Sequence, residues 1–247
     1  APQSESYMWL YRTSGDTNKP IVLYEYQPGR GAKHPEAFLK GFKGYLHTDG
    51  YAGYHNLPEE ITVVGCWAHA RRKFDEAVRS LPKGKAKGSS ASQGLTYCNL
   101  RFRMEQEIAD KTAEERYEER LKQAKPVLDA IFAWANSRTA APKSALGKAL
   151  NYLKEQWPYL TNYLKDGRLE LSNNRAERSI KPFVIDRKNF LVANTPKGAA
   201  GSAMMFSLIQ TTLENGLDPY RYLTWLMHTA NHADLTDTQV VQSLLPW

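Results

Sequence analysis

The sequence predicts a mixed α/β protein, and three observations carry that expectation. Short β-branched and aromatic runs bounded by Gly, Asn and Asp recur before Ala68. From Ala68 onward the apolar spacing changes to three and four, the period of a helix. The middle of the chain then carries helical stripes with no strand between them. The expected architecture is a mixed sheet with flanking helices and a helical insertion of roughly eighty residues, in the sense of a periodicity assignment.

Taken in order, Tyr7–Arg12 and Ile21–Tyr26 read as an antiparallel hairpin around Ser14-Gly-Asp-Thr-Asn18. His34–Phe42 is a short helix closed near Gly41 and Gly44. Tyr45–Thr48 is a strand that delivers Asp49 at its carboxyl end, where chemistry gathers in open α/β sheets. An Asp-Gly pair is equally at home in a plain turn. Thr62–Trp67 is an apolar strand, and Ala68–Arg79 a helix with Arg71, Arg72 and Lys73 on its first turns. Cys66 and His69 have the spacing of half a zinc site, but no second Cys–His pair lies nearby.

Leu81–Gln93 is a loop rich in Lys, Gly and Ser. Thr112-Ala-Glu-Glu115 is a capping box opening a charged helix. Leu121, Ala124, Leu128, Ile131 and Ala135 form one apolar stripe, with a kink expected at Pro126. Leu146, Leu150, Leu153, Trp157 and Leu160 form another, ended by Asp166-Gly167. Ser172 or Asn173 can cap a helix that Pro182 stops or kinks. On it Asn173, Glu177 and Lys181 share a face, with Arg175 and Arg178 beside them. These charges could simply pair on a solvated surface. Phe190–Ala193 is a short apolar run, and Thr195–Gly201 a glycine-rich turn that lacks the phosphate-binding GxxxxGK[ST] pattern. Ser202–Leu213 is helical up to Asn215-Gly216. Asp218-Pro219 then opens a last helix with a buried stripe of Leu223, Leu226, Met227 and Ala230.

The bulk properties narrow the partners. With 247 residues and 42% hydrophobic content, the chain has ample material for a core. A net charge of +7 and a pI of about 9.2 favour an anionic partner, nucleic acid first. No apolar run approaches the roughly 18 residues a bilayer span needs, so no membrane partner is expected. Two cysteines, Cys66 and Cys98, build no disulfide framework and suit a reducing cytoplasm.

Four motifs occur in one order: Tyr7-Met-Trp-Leu-Tyr-Arg12, Leu46-His-Thr-Asp-Gly-Tyr51, Gly65-Cys-Trp-Ala-His-Ala-Arg-Arg-Lys-Phe74 and Asn173-Asn-Arg-Ala-Glu-Arg-Ser-Ile-Lys-Pro182. Together they resemble the catalytic domain of the bacterial insertion-sequence-66 family of transposases, over nearly the whole chain. The resemblance implies a ribonuclease-H-like fold, with the helical insertion between the second and third acidic residues. Residues 1–79 would be the first part of the core, 80–168 the basic loop and insertion, and 169–247 the completion of the core. It also implies a DDE-type triad binding two magnesium (or manganese) ions, with Asp49 the second acid and Glu177 the third. The activity implied is cleavage at the element ends and joining of the freed 3′-ends to target DNA, in a bacterial cytoplasm at the nucleoid. Arg71, Arg72, Lys73, Asn174, Arg175, Arg178 and Lys181 are the expected DNA-binding residues, holding phosphates without reading sequence.

The first acid is expected on a strand upstream of Tyr7, and none of Glu5, Asp16 or Glu25 stands in its context. The first strand is thus missing, and Ala1 reads as the cut edge of a longer protein that binds DNA but lacks one ligand. An edge left open beside Tyr7–Tyr11 favours self-association, so a homo-oligomer on DNA is expected. The rival readings are a ribonuclease-H-like nuclease that only hydrolyses and a DNA-binding remnant without activity.

Overall fold

The hairpin that the N-terminal composition predicts is present as β1 (Tyr7–Arg12) and β2 (Val22–Gln27), antiparallel, with Tyr7 opposite Gln27 and Arg12 opposite Val22. The structure is a computed structural model and describes residues 6–190 and 195–247. Glu5 and most of the run Phe190–Ala193 therefore lie outside the described residues. Next come α1 (Lys33–Phe38), β3 (Gly44–His47), a 3-10 turn at Ala52–Tyr54, β4 (Ile61–Val64) and α2 (Trp67–Arg79). The helical middle comprises α3 (Ser90–Glu107), α4 (Ala113–Glu119), a π turn at Arg120–Ala124, α5 (Lys125–Asn136) and α6 (Ala145–Leu160). A 3-10 turn at Asn162–Lys165 leads to α7 (Asn174–Phe190), α8 (Pro196–Glu214), α9 (Pro219–Ala230) and α10 (Thr238–Ser243). The chain divides into two units, one of residues 35–174 and one of residues 1–34 with 175–247.

Helices dominate this mixed α/β chain. The single mixed sheet expected from the sequence is replaced, among the described residues, by two two-stranded ladders, β1–β2 and the parallel pair β3–β4. Local chemistry explains why each stays small. In the unit of residues 35–174, β4 stops at Val64, short of the expected Trp67. Gly65 donates its N–H to the Tyr159 carbonyl at 2.9 Å. A Cβ on Gly65 would lie 3.0 Å from the Leu160 nitrogen, so the backbone there is pressed onto the end of α6. Trp67 then opens α2, fully buried, with Nε1 donating to the Leu160 carbonyl at 2.9 Å. Around it pack Val64, Phe74, Leu128, Ile131, Leu150, Leu153, Leu160 and Tyr163. Side chains of this size each contribute roughly 1.5–3 kcal/mol when removed from water.

The first insertion stripe is shifted from expectation. Ala124, Leu128, Ile131 and Ala135 are buried, but Leu121 is 39% exposed and Arg120 only 1%. Pro126 has no N–H for the carbonyl four residues back and its ring crowds that turn. The helix accommodates this by widening into the π turn, in which Lys125 donates to the Arg120 carbonyl. One extra residue per turn rotates the preceding segment by about 100°, carrying Leu121 outward and Arg120 inward. The second stripe is as expected, with Leu150, Leu153 and Leu160 buried. The cationic loop is shorter than predicted, because the Ser89 hydroxyl accepts the Ser92 N–H and starts α3 at Ser90.

Arg120 is the polar centre of this unit. Its Nε and Nη2 hold Glu105 at 3.0 and 2.6 Å. Nη1 donates to the carbonyls of Tyr163 and Asp166 at 3.1 and 3.0 Å, and Nη2 to that of Leu169 at 2.7 Å. Arg101, also fully buried, donates to the Tyr163 hydroxyl. The two guanidinium carbons lie 5.4 Å (Arg101) and 5.1 Å (Arg120) from the Tyr163 ring centre.

The other unit is organised on β2. Val22 and Tyr24 bury their side chains with Phe183 and Ala203. The outer edge of β2 is met by α8 in place of a third strand. The Thr211 hydroxyl accepts the Val22 N–H and donates to the Val22 carbonyl, each at 3.0 Å. Ser207 accepts the Tyr24 N–H at 2.8 Å, and Asn215 donates to the Pro20 carbonyl at 2.8 Å. Pro182 does not end α7, which continues to Phe190. Phe183 packs against Tyr24 and Phe206, with ring centres 6.3 and 5.4 Å away, and this packing holds the turn after the proline in place.

The expected glycine-rich turn at Thr195–Gly201 is the start of α8, with Thr195 accepting the Gly198 N–H at 3.0 Å and Pro196 at the first helical position. Asp218-Pro219 opens α9 as predicted, with Asp218 accepting the Arg221 N–H at 2.8 Å. Its stripe is not buried as expected, since Met227 is 58% exposed and Tyr222 takes the inner position. Among the described residues no helix is long and apolar enough to cross a membrane.

Replacing Arg120 by Met should strand Glu105 and three carbonyl oxygens in the core. Urea unfolding is expected to show a loss of about 3–5 kcal/mol, the usual cost of breaking a buried pair from one side. A change below 1 kcal/mol, on the order of a surface substitution, would contradict this account.

Candidate functional site

Asp49 stands just beyond the β3–β4 ladder. The last rung is the bond from the buried Thr48 N–H to the Val64 carbonyl at 2.9 Å. Asp49 Oδ1 accepts the Tyr51 N–H at 3.0 Å, which folds the chain into a tight turn. Gly50 occupies the left-handed region of that turn, at φ +84°. From α6, the Tyr152 hydroxyl reaches the Asp49 carbonyl at 3.4 Å. The sequence reading did not single out Tyr152 or its neighbour Gln156. Their signal was polar residues four apart beside the apolar stripe of that helix.

The basic cluster on α2 is held by two ties. Arg71 Nε donates to Asn99 Oδ1 at 2.7 Å, and Lys73 Nζ lies 5.0 Å from the Tyr152 ring centre. Arg71, Arg72 and Asn174 line one open recess of about 430 Å³ with Ala68, Asp75 and Phe102. Three of the sequence candidates for DNA contact are thus brought together.

The remaining candidates ride on α7, in the unit of residues 1–34 and 175–247. Glu177 lies in the first turn of α7, half-buried, with Arg178 and Lys181 exposed. Arg175 lies over the hairpin loop, where a Cβ on Gly15 would sit 2.3 Å from its guanidinium. Arg12 fixes the same turns of the helix. Its Nη1 donates to the Ser179 hydroxyl at 2.6 Å, and its Nη2 pairs with Glu214 at 2.8 Å. That two-point bond from Arg12 holds the Glu214 carboxyl below its usual range. Tyr24 adds a bond from its hydroxyl to the Ser179 carbonyl. Among the described residues no three His, Cys, Asp or Glu side chains gather in an arrangement that could hold a metal ion.

The unit of residues 35–174 thus carries a strand-end carboxylate and an arginine-lined recess beside α2, and the other unit carries an acid on a cation-rich helix, in a mixed α/β protein. The family is the IS66 family of transposases, whose model matches residues 1–201, and the chain belongs to it. Among its relatives is the uncharacterized protein y4qI of Sinorhizobium fredii, 32% identical over 99% of this chain and 47% of its own length. Another is the uncharacterized protein y4hP of the same organism, 31% identical over 97% of this chain and 46% of its own length. The chain therefore spans about half the length of these relatives. No solved structure matches it.

His47 gives the Asp49 strand a pH dependence. Burial pushes its imidazole down to about 4, against a weaker upward pull from its hydrogen bond to the Gly65 carbonyl at 3.0 Å. The unfolded chain takes up this proton near pH 6.5 and the folded chain only near 4. Stability from this residue is therefore fully present above 6.5 and lost as pH falls toward 4, by up to about 2–3 kcal/mol. Urea titrations of the protein and of His47→Gln between pH 7 and pH 4 should show the variant losing less. Parallel curves would rule out His47 as a source of the acid sensitivity.

Proposed function

We propose that the chain is the catalytic domain of a DNA transposase, acting by metal-dependent phosphodiester cleavage followed by transfer of the 3′-end to target DNA. The observation that carries the reading is the family match, which runs through both Asp49 and Glu177. The local chemistry at Asp49 fits a hard cation. The aspartate is half-buried at a strand end, and the unsatisfied acceptor beside its turn is an amide oxygen, that of Gln156. In this reading Asp49 and Glu177 hold magnesium or manganese in a ribonuclease-H-like arrangement. Such ions, when bound, supply charge stabilisation to the attacking and leaving oxygens.

The protein's own groups do the rest. Arg71, Arg72 and Asn174 receive the DNA backbone in the α2 recess, and Arg178 and Lys181 on α7 are phosphate-binding cations of the other unit. Arg12 and Arg175 hold the start of α7, which fixes the turn bearing Glu177. Interactions of this kind grip phosphates and leave base edges unread. Action on element ends and target DNA by more than one copy belongs to the same reading.

Asp49→Asn and Glu177→Gln should each lower cleavage of labelled element ends by about a hundredfold or more, since several kcal/mol of charge stabilisation is removed. Affinity for DNA should stay within a few-fold. Cleavage at the unmodified rate by either variant would sink the assignment of that acid.

Replacing Arg71, Arg72 and Lys73 together by Ala tests the recess. The slope of log affinity against log salt should fall by roughly two, about 0.9 for each phosphate that is no longer neutralised. The Lys73 ammonium already engages Tyr152, so a full three is not expected. An unchanged slope would show that these residues do not touch phosphate.

A further inference from the structure

We propose that α6, a helix of the insertion, is the element that positions Asp49, with Tyr152 and Gln156 as its positioning residues. The inference rests on the reading of Asp49 as a metal ligand and says how that carboxylate is aimed. Beyond Thr48 the turn has left the strand ladder, so ladder bonds no longer fix it. What meets it instead is one face of α6, since residues 152 and 156 are a helical turn apart.

Two approaches define the fit. The Tyr152 hydroxyl donates to the Asp49 carbonyl at 3.4 Å. A Cβ placed on Gly50 would lie 2.9 Å from Gln156 Oε1 and 3.1 Å from the Tyr152 hydroxyl, so the two side chains close on the turn to a distance only glycine permits. Lys73 over the Tyr152 ring joins the basic cluster of α2 to this buttress.

Gln156 is the more telling residue. It is 6% exposed, and its buried Oε1 accepts no hydrogen bond from the described residues. Leaving a buried acceptor unpaired costs roughly 1–3 kcal/mol. Nothing in the packing of α6 requires an amide there, since Leu150, Leu153 and Leu160 already fill the core face. A buried oxygen with no donor among the described residues, set against the Asp49 turn, is placed to accept from a group that arrives at that turn, such as a water of a hydrated cation.

The test uses the 247-residue chain, with manganese as the probe and binding read by electron paramagnetic resonance. Amide exchange of the peptide spanning residues 48–54 is the second readout. Tyr152→Phe with Gln156→Leu should weaken manganese binding about tenfold, the lower end for outer ligand partners. The same pair should speed exchange at Gly50 and Tyr51 while exchange within α6 stays unchanged. Gln156→Glu keeps the shape and the oxygen and should retain or tighten binding, which a purely structural role does not require. If it weakens binding as much as the double variant does, the oxygen is not the operative atom and the role of Gln156 falls. If Asp49→Asn abolishes binding while the double variant binds and exchanges like the parent, α6 does not position the aspartate, and the metal reading stands. Parental manganese affinity in Asp49→Asn would overturn the metal reading, and this inference with it.

Discussion

The bonds of Arg120 are the constraint on which the unit of residues 35–174 depends. One guanidinium joins α3, through Glu105, to three carbonyls of the segment that follows α6. That segment continues to Leu171, whose carbonyl receives the Trp67 N–H at 3.1 Å. Trp67 in turn holds the end of α6 and starts α2, the helix of the basic cluster. A charge withdrawn from water is stabilised here by a full set of acceptors, the condition under which a buried ion is tolerated. Gly167 belongs to the same knot, since a Cβ there would lie 1.7 Å from the Ala113 carbonyl oxygen.

Much of this was legible in the sequence where a single residue dictates local geometry. The hairpin followed from β-branched and aromatic runs around Gly15, the α9 start from Asp218-Pro219, and the strand leading to Asp49 from Tyr45–His47. What escaped were effects of packing on otherwise correct local signals. Pro182 is a stop signal that the aromatic packing of Phe183 overrides, and Thr195-Pro196 is a helix start that the glycines after it disguised. The burial of Arg120 in place of Leu121 depends on a π turn, which leaves no mark in periodicity beyond the proline that follows at Pro126.

At the candidate site, the sequence supplied charges and the structure supplied their supports. Arg71 and Lys73 are expected from the sequence to hold phosphates, and the structure ties Arg71 to Asn99 and Lys73 to Tyr152. The Arg71 tie lowers the rotamer entropy that side chain loses on meeting a phosphate, whereas the Lys73 tie occupies its ammonium. Of the supports, Tyr152 and Gln156 show in the sequence only as polar residues four apart beside an apolar stripe, and Arg12 and Tyr24 carry no signature of their role. They become visible only when distant segments are brought together.

The sealed edge of β2 is a matter of commensurate lengths. Ser207, Thr211 and Asn215 are spaced by four, and their partners Tyr24, Val22 and Pro20 by two in the opposite direction. Four residues of helix advance about 6 Å and two residues of strand about 6.8 Å, so the two scales run together like the marks of a vernier. From the first of these bonds to the last the mismatch grows to only about 1.6 Å, which side-chain torsions absorb. A helix can therefore stand in for a strand over a short span but not a long one. The same arithmetic makes the pairing intolerant of length change. One residue more or fewer in either partner puts the hydroxyls and the backbone amides out of step, and only a matched exchange of four for two restores them.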